Sequence, residues 1–96
     1  MTKETSALIL TDITGENGIL NRYRLIATMD AISCKEVFSV FLTTESGEGM
    51  TEDFVYDITR DSDEAVRFFH RIVEYRATAL HLRDIAEDFL CEIVPI

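Results

Sequence analysis

The chain has 96 residues, 47% of them hydrophobic and 28% charged, with a formal net charge of −9 at pH 7. That length supports a single domain, residues 1–96, with enough core to fold without disulfide or metal staples, and the composition excludes the disordered class. No apolar run approaches the roughly 18 residues of a membrane-spanning helix, and a chain this acidic disfavours direct contact with nucleic-acid phosphates or an anionic membrane.

Met1-Thr2-Lys3-Glu4 has no apolar stretch of the signal-peptide kind, so a cytoplasmic location is expected. The two cysteines, Cys34 and Cys91, have no paired short spacing and are expected to be reduced thiols. The charge is uneven. Residues 45–64 hold eight acids against Arg60 alone, a net of −7.

In chain order, residues 6–13 are rich in β-branched side chains and read as a strand. Gly15-Glu16-Asn17-Gly18 follows as a hairpin turn, since Asn-Gly tolerates the positive φ that tight turns need. Residues 20–30 alternate, with Tyr23, Leu25, Ala27 and Met29 on one face and Arg24, Ile26 and Thr28 on the other. After a link at Ala31-Ile32-Ser33, residues 35–44 alternate again, Phe38, Val40 and Leu42 against Val37, Ser39, Phe41 and Thr43. Residues 45–49 read as a loop. In 54–59, Phe54, Tyr56 and Ile58 are expected on the core side, with Val55, Asp57 and Thr59 opposite.

The period then changes. Asp61 is an N-cap with Glu64 as capping-box partner, and Ala65, Phe68, Phe69, Ile72 and Val73 draw a helical apolar stripe. Thr78 is placed to cap a second helix striped by Leu82, Ile85, Ala86, Phe89, Leu90 and Ile93, with Pro95 beyond it. Neither helix is long enough to stand alone in water. The expected architecture is α+β: a four-stranded antiparallel meander followed by two helices packed on one face of the sheet.

Asp57-Ile58-Thr59 with Asp61, and His81-Leu82-Arg83-Asp84-Ile85-Ala86-Glu87-Asp88-Phe89-Leu90, resemble a small family of uncharacterised proteins from clostridial-type bacteria. The resemblance covers roughly the second half of the chain. It implies a bacterial cytoplasmic protein and transfers no catalytic residue.

Chemistry has few places to sit. His81, Asp84 and Asp88 stand at i, i+3 and i+7, a spacing that could hold a divalent metal on one helical face. A solvated polar face explains the same pattern and is the preferred reading. Glu87, Asp88 and Glu92 crowd the end of that helix where the dipole prefers cations, offset by an Arg83–Glu87 pair or by Arg67, Arg71 or Arg76 from the first helix. No Ser or Cys is placed beside a base, so no catalytic residue is assigned, no enzyme activity is expected and no cofactor is implied.

With both helices on one side, the reverse of the sheet presents Ile9, Ile26, Val37, Phe41 and Val55, a patch that a two-fold homodimer would bury. The sequence reading is a non-catalytic interaction or regulatory module. Its alternatives are a metal-binding protein or small metal-dependent enzyme using the second helix, and an acidic decoy that occupies a basic nucleic-acid-binding protein through residues 45–64.

Overall fold

A computed structural model describes residues 4–30 and 34–93; the Ala31-Ile32-Ser33 link and Pro95 lie outside them. The chain lays down β1 (Glu4–Glu16), β2 (Ile19–Asp30), β3 (Glu36–Ser46) and β4 (Gly49–Thr59), then α1 (Ser62–Glu74) and α2 (Leu82–Ile93). Each strand pairs antiparallel with the next, in the order β1-β2-β3-β4. The expected α+β architecture is what forms.

Turn chemistry sets the hairpins. Asn17 and Gly18 adopt φ of 52° and 80°, the left-handed pair that matches strand twist in a two-residue turn. The second hairpin is tighter than the composition implies. Glu45 and Ser46 still pair with Met50 and Gly49, so the expected loop over 45–49 shrinks to Gly47-Glu48, and β4 starts five residues early.

The core lies between one sheet face and the two helices. Tyr23, Leu25, Ala27, Phe38, Val40, Leu42 and Ile58 from the sheet meet Ala65, Phe68, Phe69 and Ile72 of α1 and Leu82, Ala86 and Phe89 of α2. Asp61 caps α1 as its spacing requires, accepting the Glu64 N–H at 3.1 Å. Glu64 does not complete the capping box; its carboxylate takes Arg67 at 2.8 Å. Phe89 is fully buried, with Phe68 at 5.1 Å and the guanidiniums of Arg67 and Arg71 at 5.5 and 5.3 Å from its ring centre.

Arg76 ends α1 in the left-handed region, φ 52°. The Ala77 N–H returns to the Ile72 carbonyl and the Arg76 N–H to that of Val73, the Schellman arrangement with arginine where glycine is usual. An ion pair with Glu16 at 2.7 Å holds the arginine. Beneath this connection, the Tyr23 hydroxyl donates to the Ala77 carbonyl at 2.7 Å and meets Thr14 Oγ1 at 3.0 Å. Asn21 links Thr14 to Thr44, and Thr44 Oγ1 accepts the Ala79 N–H at 2.9 Å. Burial pushes the Tyr23 phenol above its ordinary value, which keeps its proton available for donation. Thr78 does not cap α2 directly; it bonds His81, and the His81 carbonyl accepts the Ile85 N–H.

Two bulges correct the alternation read from the sequence. In β1 the register shifts between Leu8 and Leu10, leaving Ile9 as the extra residue. In β4 it shifts opposite Phe38 and Val40, and Asp57 takes φ 54°. The Asp57 N–H, displaced from the ladder, is caught by Ser39 Oγ at 3.1 Å. Two more residues than β3 supplies lie between Val55 and Thr59, and the facing changes across them: Ile58 and Val55 both pack on the core side while Phe54 and Tyr56 stand exposed on the opposite side. Met29, expected in the core, is also exposed.

Replacing Tyr23 by Phe is expected to lower unfolding free energy by about 1–2 kcal/mol, because a buried carbonyl loses its donor. Urea titration checks this; an unchanged midpoint would show that the hydroxyl does not fasten the interhelical connection.

Candidate functional site

The feature that the fold leaves without internal purpose is the sheet face opposite the helices. Cross-strand register draws it row by row. Leu8, Ile26 and Ser39 form one row, with Tyr56 beside it at the bulge. Thr11, Arg24, Phe41 and Phe54 form the central row. Ile13, Arg22, Thr43 and Glu52 form the next, and Leu20, Glu45 and Met50 close that end.

At the centre, the rings of Phe41 and Phe54 stack at 5.3 Å between centroids and 16° between planes. The Arg24 guanidinium lies 5.3 Å from the Phe41 centroid, a cation–π contact. Leu8, Ile13, Phe54 and Tyr56 are 57%, 55%, 46% and 55% exposed. Of the residues expected here from sequence, Ile26, Val37 and Phe41 are present and half-buried among their neighbours, and Ile9 is exposed at the bulge. Val55 is not part of the face, since the β4 bulge turns it inward. Leu8, Ile13, Phe54 and Tyr56 were missed because alternation counted from either end of a bulged strand assigns one end to the wrong side.

Charge on this face balances. Arg22 and Arg24 on β2 stand beside Glu45 and Glu52, with Arg22 Nε 3.7 Å from the Glu45 carboxylate. The outer strands carry a different device. Asp12 accepts the Ile13 N–H at 2.8 Å and Asp53 accepts that of Phe54 at 2.9 Å, so each edge presents a carboxylate where a visiting strand would pair.

The acids of 45–64 are scattered by folding. Asp61 caps α1, Asp63 and Glu64 occupy its first turn, Asp57 sits in the bulge, and Asp53 grips Arg83 of α2 through two bonds of 2.9 and 3.1 Å. Arg83 therefore serves Asp53 and not Glu87. Its hydrogen bond holds the Asp53 carboxyl below the usual carboxylate range, and Asp53 in turn raises Arg83.

His81 precedes the first helical residue of α2 and its Nδ1 meets Thr78 Oγ1 at 3.0 Å. Among the described residues no three His, Cys, Asp or Glu side chains come together as metal ligands, so His81, Asp84 and Asp88 do not form the triad their spacing allows. Cys34 and Cys91 are both exposed, and neither is in a disulfide. A shallow groove of about 390 Å³ runs between β4 and α2, lined by Phe54, Val55, Tyr56, Arg83, Ala86, Glu87 and Leu90. Its one cation, Arg83, is already committed to Asp53. No helix is long and apolar enough to cross a membrane, among the described residues.

No family model, curated protein or solved structure matches the chain.

For Arg83→Gln, the urea midpoint is expected to fall below that of the wild type at pH 7. Because the Asp53 value is lowered by folding, the pair's contribution is present above the ordinary aspartate value of about 4 and is lost as pH falls through the lowered one. The two midpoints should therefore converge in acid. A gap that persists there would assign the effect to the arginine's stem and not to the ion pair.

Proposed function

We propose that this chain is a non-catalytic interaction module whose contact surface is the open sheet face and whose occupant is a second copy of itself. The observation that carries the reading is the aromatic stack of exposed Phe54 on half-buried Phe41, ringed by Leu8, Ile13, Ile26, Val37 and Tyr56. Contiguous apolar surface of this kind is uncommon on monomers.

Three further observations support a copy of the chain as the partner. Four strands about 4.8 Å apart and about ten residues long cover roughly 650 Å², close to the ~800 Å² per partner of a stable interface. The face balances its two arginines with two glutamates, so two chains of net charge −9 can meet there without like-charge repulsion at the contact. The carboxylate-guarded edges oppose strand addition, which leaves face-to-face packing as the route to association.

The other readings draw less from the geometry. The acids of 45–64 are divided among a cap, a bulge, a helix start and ion pairs, which does not make the continuous strip an acidic decoy needs. The second-helix triad lacks convergence. The resemblance of residues 57–61 and 81–90 to bacterial chains makes a bacterial cytoplasm the proposed setting.

Light scattering on a sizing column tests the reading. The wild type is expected as a dimer at micromolar concentration. Phe41→Arg should weaken it by at least about 30-fold, the equivalent of about 2 kcal/mol for a central aromatic. Leu8→Asp, at an exposed position, should do the same with an unchanged fold. A monomeric wild type would overturn the proposal.

A further inference from the structure

Resting on that self-association, we infer how the two copies are oriented: the two-fold axis runs along the strands, between β2 and β3, so that β2 of each copy lies over β3 of the other and β1 over β4.

Two sheets packed face to face by a two-fold rotation must have the axis in the plane of contact. Aligned packing leaves two simple choices, an axis along the strands or one across them. The across-strand axis lays each strand on its own copy. Centred on the aromatic row, it sets Arg24 against Arg24 of the second copy and Phe41 against Phe41, and it places Arg22 over Ile26. Two guanidiniums would then be buried facing each other, with no carboxylate in either row to receive them.

The along-strand axis keeps every row in register with itself and exchanges the columns. Arg24 then covers Phe41 of the second copy, extending across the interface the cation–π contact it makes within its own chain at 5.3 Å. Arg22 falls over Thr43 of the second copy, whose neighbours along and across the sheet are Glu45 and Glu52. Arg22 is thereby set among the glutamates of the second copy and Arg24 on an aromatic ring, with no two like charges facing each other, and Ile13 and Thr11 of β1 lie over Glu52 and Phe54 of β4. The segregation of both arginines onto β2, and of both glutamates onto β3 and β4, is what selects this axis.

Crosslinking distinguishes the two. In a Cys34→Ser, Cys91→Ser background confirmed as dimeric by light scattering, Thr11→Cys and Glu52→Cys are made separately and as a co-expressed, differently tagged pair. Both positions are exposed on opposite outer strands. A bismaleimide long enough for the ~10 Å between packed sheets should crosslink the mixed pair. Neither variant alone should react, because its two copies are displaced sideways by a further ~14 Å, three strand spacings. Self-crosslinking of Thr11→Cys, or a dimer in which the mixed pair fails to crosslink, would overturn this orientation while leaving the face as the contact surface. A background that is monomeric where the wild type is also monomeric would instead sink the self-association beneath it.

Discussion

The connection between the helices hangs on the Tyr23 hydroxyl. A short turn after α1 must satisfy its backbone groups somewhere, and it does so on the sheet: Tyr23 donates to the Ala77 carbonyl while Thr44 accepts from the Ala79 N–H. Thr14 and Asn21 complete the set, so that no buried side-chain polar atom among the described residues is left unpaired. With both ends of the turn fastened to β2 and β3, the chain can only return along the face it has just covered. Both helices consequently share one side, and the far side of a four-stranded sheet is left open.

What that open side carries is decided by an irregularity in β4, where Tyr56, Asp57 and Ile58 span the step that β3 makes with Ser39 alone. Counted back from buried Ile58, strict alternation would turn Phe54 and Tyr56 toward α2 and Val55 outward. The left-handed backbone at Asp57 costs on the order of 1 kcal/mol for a residue other than glycine, and the hydrogen bond from its N–H to buried Ser39 offsets part of that. The result is a stacked aromatic pair on the surface and a smaller valine beneath α2, where the helix must approach the sheet closely.

The same economy applies to charge. A strongly acidic segment becomes harmless when its members are distributed to a helix start, a bulge, an edge and two ion pairs. The negative surplus is thereby held off the open face, whose arginines and glutamates balance. A surface that is neutral, apolar at its centre and flanked by guarded edges suits the self-association proposed above.

Sequence alone determined the element types and their order, because strand alternation, helical stripes, the Asn17-Gly18 turn and the Asp61 cap are all local signals that act within a few residues. It also determined that Tyr23, Leu25, Phe38, Val40, Leu42 and most of each helical stripe, Ala65, Phe68, Phe69 and Ile72 in α1 and Leu82, Ala86 and Phe89 in α2, would be buried, since these follow from period and polarity. Leu90, expected with them, is exposed. It could place Ile26, Val37 and Phe41 on the reverse face for the same reason. Only the tertiary structure decided that Phe54, Tyr56, Leu8 and Ile13 join them and that Val55 does not, because a bulge is set by how two strands settle against each other and leaves no mark in the period of one. Only it decided, too, that Arg83 belongs to Asp53 rather than Glu87, and that His81 ends up before α2 and not on its face. Such pairings join residues about thirty positions apart or depend on where a helix begins, and their energies come from contacts that exist only once the chain has folded.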